Sequence, residues 1–357
     1  MVGFRDVLKI GLAYTGVVVG AGFSTGQEIL QFFTNNGYLS IFAVLISGLL
    51  ILFTGKWTAD VGHDLRAESH VESIMDIFGS VFGRILDYAL VFFLYGVAII
   101  MVAGAGSTFY ESFGTPPWLG SLILVIAVYI TLNLDFNKIV IALGAITPYL
   151  LAVVIIIAVI TFINSSLPLT DANQYAKPEL TPAGPWWWDG ITYSGFTVAV
   201  AFSFLTMMGS GTSSKKAAGW GGIVGSILIL VLMLLINLGI LARMDAVNEV
   251  ELPMLLLGTE ISPVLGTLLS IAMLLVIYNT AVGMLYPFIT RFTKPKTKQY
   301  NILLPVSLVA GYILSFAGFA DLVGAIYPLM GYIGLILAAG LLYKWIQLKM
   351  RRNRSKV

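Results

Sequence analysis

Residues 16–28 read Gly16-Val-Val-Val-Gly20-Ala-Gly22-Phe-Ser24-Thr25-Gly26-Gln27-Glu28, and whether a helix can run through them settles the architecture. Glycines 20, 22 and 26, with hydroxyls at 24 and 25, interrupt an apolar run that begins near residue 7. A glycine costs about 1 kcal/mol relative to alanine in a helix interior. Two readings follow. In one, the glycines let neighbouring helices pack closely, as small-xxx-small contacts do. In the other, the helix breaks here, which a membrane tolerates only where the backbone is buried in protein or lines a cavity. A break would present the N-terminal amides of the second half-helix to an anion and the last carbonyls of the first to a cation. The polar residues that directly follow the glycines favour the break.

The surrounding chain sets that break in a bilayer. Of 357 residues, 58% are hydrophobic and only 11% are charged, against roughly 25% charged in soluble domains. The apolar residues fall in blocks, and about 20 of them span a hydrocarbon core as a helix. Nothing alternates in the manner of a membrane β-barrel. The chain is read as all-α and integral to the membrane, with spans at about 7–33, 38–58, 80–111, 117–133, 137–163, 187–211, 217–242, 262–290, 300–317 and 321–344. The first span continues into Gln27 and Glu28 without a small-residue cleavage site, so no cleavable signal peptide is expected. With no cysteine, disulfides, thiolate metal sites and cysteine nucleophiles are excluded together. The two histidines, His63 and His70, share one polar stretch.

With the N-terminus inside, the ten spans place 18 Lys and Arg residues on the cytoplasmic side and only Lys177 and Arg243 outside. Positive residues stay on the cytoplasmic side, so both termini are expected there. Trp118 and Trp186 to Trp188 fall at outer span ends, where an aromatic belt is expected. Spans six to ten begin about 180 residues after spans one to five, and the long third span pairs with the long eighth. Five spans are an odd number, so the second set enters from the opposite side. That pattern is an inverted-topology repeat, whose interface holds the site in secondary transporters. The expected units are residues 1–165 for the first five-helix repeat, 166–185 for an outer loop, 186–345 for the inverted repeat, and 346–357 for a basic cytoplasmic tail.

The string Gly20-Ala-Gly-Phe-Ser-Thr-Gly26 in a first span, within ten spans in two inverted sets of five, resembles the amino acid–polyamine–organocation superfamily with its LeuT-type fold. At this length, Gly20 to Glu28 is similar to the YkvI-like bacterial membrane proteins. The resemblance covers the whole chain in topology, but in motif only spans one, six and eight. It implies that spans one and six are both interrupted and hold the substrate, and that span eight helps bind sodium. The implied substrate residues are Gly20, Ala21, Gly22, Phe23, Ser24 and Thr25, with Ala199, Phe202 and Ser203 of span six. Span six has no glycine at that point, a departure from the usual pattern. The implied sodium ligands are the carbonyls near Val18, Gly20 and Ala21 with the side chains of Asn279 and Thr280, which precede Pro287. The alternative for Asn279 and Thr280 is hydrogen bonding to a neighbouring helix.

Glu28 is the most deeply placed acid, and such residues mark ion or proton pathways unless they are hydrated in an open vestibule. Asp321, which opens span ten, is either an outer-gate residue or an ordinary interface acid. Arg84 and Asp87, three apart, read as a local ion pair. Together these features describe a secondary active transporter in a bacterial cytoplasmic membrane, working by alternating access. Its expected partners are a small solute such as an amino acid and the lipid bilayer. Sodium is the expected coupling ion, with no cofactor, no nucleic acid and no enzyme activity. The alternatives are proton coupling through Glu28, or a transporter-like receptor that binds without translocating.

Overall fold

A computed structural model describes residues 4–66, 70–133, 147–165, 167–212 and 214–354. Within them the regular structure is helical throughout. The first apolar run is not one helix: α1 spans Phe4–Val18, α2 is the single turn Ala21–Thr25, and α3 is Gln27–Phe32. There follow α4 (Ser40–Leu65), α5 (His70–Phe78), α6 (Ser80–Phe113), α7 (Pro117–Leu132), α8 (Thr147–Ile163) and α9 (Trp186–Ser210). The chain continues through α10 (Lys215–Leu241), α11 (Met244–Val247), α12 (Pro253–Ile261), α13 (Pro263–Phe292), α14 (Lys298–Leu314) and α15 (Phe319–Arg354). Among the described residues, seven helices are long and apolar enough to cross a membrane, and the apolar helices Pro117–Leu132 and Leu151–Ile163 are shorter. The stretch 134–146, where the fifth span is expected to begin, lies outside the described residues.

Helix ends follow local chemistry. Gly114 closes α6 in the left-handed region at φ 65°, where glycine carries no Cβ penalty. Proline occupies the first turn of α7, α12 and α13, where its missing N–H costs nothing. Ser262 caps α13 by accepting the amide of Val264 at 3.3 Å. Phe42, Leu45, Leu49 and Phe53 lie exposed along one face of α4, while Ser47, Thr54 and Thr58 of the same helix are buried. Apolar outside and polar inside is the arrangement lipid requires. Buried hydroxyls are satisfied within the bundle, as when Ser226 donates to Ile51 O at 3.0 Å.

Close backbone contact holds α9 to its neighbours. A Cβ at Gly190 would lie 2.6 Å from Ala43 O of α4, and one at Gly209 would collide with Ala59 O. On its other side, Gly195 meets Gly331 and Gly334 of α15 backbone to backbone. α4 and α10 also pack together, with α1 against α10, whereas α6, α7 and α13 form a second group.

The structure corrects one expectation here. Span six is not interrupted at Ala199 to Ser203, because α9 is one helix from Trp186 to Ser210. That segment contains neither glycine nor proline, so nothing in it breaks the hydrogen-bond ladder. Its flanking glycines serve close packing instead. The last helix, α15, runs on through the expected basic tail as far as Arg354. Three short helices absent from the sequence reading, α5, α11 and α12, stand between the long ones.

Candidate functional site

The break begins where the ladder of α1 ends. Val19 N still bonds Thr15 O at 2.8 Å, but Gly20 N turns back to Val18 O, also at 2.8 Å. Gly20 is then extended (φ −90°, ψ −162°) and α2 makes one turn from Ala21. Gly26, at φ 80°, ends that turn and starts α3 in the same step. Only glycine fits here, because φ is positive and a Cβ would also lie 2.8 Å from Met254 Cγ of α12. Hydroxyls stabilise the corner: Thr25 Oγ1 donates to Gly22 O at 3.0 Å and accepts from Gln27 N at 3.2 Å.

This geometry narrows the amides open to a ligand. Ser24 N is bonded to Gly20 O at 3.1 Å and Gly26 N to Phe23 O at 3.2 Å. The first-turn amides of Ala21, Gly22 and Phe23 are those that a helix leaves without an internal acceptor. On the carbonyl side, Val18 O already accepts the Gly20 amide, so one lone pair remains. A Cβ at Gly20 would sit 3.7 Å from Thr280 Oγ1, so α13 abuts the break at Thr280. Asn279 and Thr280 are both half-buried.

The span-six residues stand further off. Ala199 and Phe202 are buried and Ser203 is half-buried, but the elements against which α2 packs most are α3, α12 and α13. Span six meets the first segment through α1 and α3 instead. The structure thus brings Gly20 beside Thr280. It does not bring the Ala199–Ser203 segment into comparable contact with α2.

Glu28 is 2% exposed, which corrects the open-vestibule reading. Its Oε1 accepts a hydrogen bond from Tyr193 Oη of α9 at 2.9 Å. Its carboxylate lies so close to Gly22 that any Cβ there would overlap it. Aromatic rings surround the pair. Tyr193 meets Phe32 and Phe33 edge-on at 5.4 and 4.9 Å, and Phe196 stacks on Tyr327 of α15 at 4.1 Å. Nearby, Gln31 Nε2 donates to Ala320 O at 2.9 Å and ties α3 to the start of α15. Asp321 is exposed on that same first turn, beside Gly318.

A second set of polar contacts ties the other end of the bundle. Asp87, paired by sequence with Arg84, is buried and meets Arg291 of α13, while Arg84 is exposed. Helical spacing does not reveal this contact, because the partner lies 204 residues away. Lys56 bonds Asp60 at 2.5 Å within α4, and Trp345 Nε1 of α15 donates to the same carboxylate at 3.3 Å. Lys215 of α10 pairs with Asp64, and Lys344 with Asp76 at 2.5 Å. Among the described residues no three His, Cys, Asp or Glu side chains are grouped to hold a metal ion.

Sequence reasoning missed Tyr193, Tyr327 and the Gln31–Ala320 tie. For the last of these, Gln27 and Gln31, four residues apart in an apolar span, are a local signal. A buried tyrosine hydroxyl needs a polar partner, but no pattern in the sequence says which one.

No family model matches the chain. It is 27% identical over 359 residues to the uncharacterized membrane protein YkvI of Bacillus subtilis (strain 168), a match covering 97% of each chain. Among solved structures it is similar to MhsT in complex with L-phenylalanine, with a TM-score of 0.64 and 14% identity over 92% of this chain and 87% of that one. It is also similar to a manganese transporter of Eremococcus coleocola, with a TM-score of 0.54 and 18% identity over 95% and 77%.

Proposed function

We propose, from the LeuT-type fold that this chain shares with those structures, that it is a secondary active transporter for a small solute of the amino acid class, coupled to sodium and working by alternating access. One observation carries the reading: the single turn α2, isolated between extended Gly20 and left-handed Gly26. It places a short row of helix-start amides beside a row of helix-end carbonyls at one depth, with Thr280 of α13 against the break. A zwitterion has one charge for the amides, and a sodium ion suits the oxygens of Val18, Gly20, Thr280 and Asn279. The solved neighbours are in keeping with this. One was solved with an amino acid bound and the other is named a transporter, neither being an enzyme.

The proposal includes ten spans in two inverted repeats, with both termini on the cytoplasmic face of a bacterial inner membrane. The corresponding helices support it: the 34-residue α6 recurs as the 30-residue α13. In this orientation α3 and the start of α15 form the outer end, closed by Gln31 and Ala320. The Asp87–Arg291 and Asp60–Trp345 contacts close the inner end. Alternating access requires these two sets to open in turn.

Proton coupling is the second reading, and the Tyr193–Glu28 bond supports it. A carboxyl group held in an aromatic surround at the junction of α3, α9 and α15 suits the uptake and release of one proton. Purified protein in liposomes tests both readings. Labelled amino acids should accumulate when an inward sodium gradient is imposed. Accumulation driven only by a pH gradient selects the proton reading. Binding without accumulation under either gradient refutes transport and leaves a receptor.

A further inference from the structure

Three carboxamides follow one another along the outer half of the first span: Gln27 and Gln31 on α3, and Asn35 one turn beyond. Gln27 is 5% and Asn35 4% exposed, and Gln31 is half-buried. The side-chain oxygens of all three are shut off from solvent, and no donor among the described residues reaches them. A buried acceptor without a donor is costly. An apolar side chain of similar shape at each position would remove that cost. Three such oxygens on two consecutive short elements are therefore an unusual composition for packing alone.

Two of them share a direction. Residues four apart share a helix face, so Gln27 lies one turn deeper than Gln31 on the face of α3 that meets α15. Gln31 marks that face through its bond to Ala320 O and its position 3.5 Å from where a Gly324 Cβ would stand. Asn35 lies past the end of α3, in the separate tighter turn Thr34–Leu39. From Gln31 to Gln27 the pair runs roughly 6 Å along the helix axis and ends one residue past Glu28, whose carboxylate stands beside Gly22.

We infer that Gln27, Gln31 and Asn35 form an outer access track for a small monovalent cation, each carboxamide oxygen replacing part of its hydration as it moves toward the break. Carbonyl-type oxygens suit this task because their dipoles favour a hard cation or an ammonium group without trapping it as a full charge does. The Gln31–Ala320 bond closes the track in this conformation, and its release exposes the three oxygens. The inference rests on the transport reading and on the orientation given above, but concerns residues outside the Gly20–Thr280 region.

The test uses the full-length protein and two probes, sodium chloride and methylammonium chloride, each against N-methylglucamine chloride at constant ionic strength. Gln27→Met and Asn35→Leu keep volume and remove the oxygen. Both variants should melt higher than wild type without either probe. For the effective probe, half-saturation of the stabilisation should rise at least threefold, and should do so in the Thr280→Val background as well. The probe that produces the effect identifies the source, a metal cation or a substrate ammonium. A second measurement uses the absence of native cysteine. Gln31→Cys and Asn35→Cys in intact cells should react with a membrane-impermeant thiol reagent, and the effective probe should slow the reaction. Variants that melt higher but respond as wild type does would overturn the track and leave the Thr280 site standing. No response to either probe in wild type would overturn both. Uptake into liposomes decides the transport reading separately.

Discussion

Replacing Tyr193 by phenylalanine removes one oxygen from a fully buried ring and leaves its edge-on contacts with Phe32 and Phe33 in place. That oxygen donates at 2.9 Å to a carboxyl group that is itself 2% exposed. A hydrogen bond to a charged group contributes about 1.5–3 kcal/mol, and one between neutral groups about 0.5–1.5 kcal/mol. If Glu28 is ionised, Tyr193→Phe should therefore destabilise the protein by about 1.5–3 kcal/mol, roughly ten- to a hundredfold in the folded-to-unfolded ratio. In the Glu28→Gln background the bond is neutral on both sides, and the same change should cost about 0.5–1.5 kcal/mol. Gly22→Ala gives an independent approach to the same contact. The new Cβ displaces the Glu28 carboxylate, so this variant should lose the bond as well, and adding Tyr193→Phe should cost little more. Reversible denaturation of the purified protein in detergent, run as a double-mutant cycle, measures the coupling directly. Additive costs for Gly22→Ala and Tyr193→Phe would refute the geometry. Equal costs of Tyr193→Phe in the wild-type and Glu28→Gln backgrounds would show a protonated Glu28.

Four further outcomes are expected. Thr280→Val keeps shape but removes an oxygen beside Gly20, so the stabilisation by sodium should fall from about 2.7 kcal/mol at a hundredfold excess over Kd toward zero, as read by melting against N-methylglucamine. Gly20→Ala has room in the fold, its nearest neighbour being Thr280 Oγ1 at 3.7 Å; the fold should survive while sodium dependence of substrate binding weakens, measured by equilibrium binding. Arg291→Ala removes a charged partner from the wholly buried Asp87 carboxylate and should destabilise the protein, with Asp87→Asn in the same background recovering part of the loss in denaturant titrations. Glu28→Gln should abolish uptake driven by a pH gradient in liposomes while leaving exchange of preloaded substrate, if the proton reading holds; unchanged pH-driven uptake assigns Glu28 a structural role.

The break in the first span was legible because its cause is local. Glycines at 20, 22 and 26 and hydroxyls at 24 and 25 weaken a helix whatever surrounds it, and the structure interrupts the helix at Val19 and Gly26. The expected break in span six rested on positional likeness rather than on residues, and there Ala199 to Ser203 form an unbroken ladder. Asp87 illustrates a second limit. Its neighbour in sequence, Arg84, offered a plausible local partner, yet packing of α6 on α13 supplies Arg291.

Composition and periodicity dictate the solvent and the secondary structure. Long apolar blocks with few charges require helices in a bilayer, because only the helix satisfies its own backbone there, and glycine marks where that helix fails. Which side chains meet across the bundle is set by helix rotation and by the depth at which backbones touch. Gly195 against Gly331, and Gly22 against Glu28, depend on distances of a few tenths of an ångström that no periodicity encodes. Packing in three dimensions is therefore what buries Glu28 under Tyr193, ties α3 to α15 through Gln31, and stands Thr280 beside Gly20.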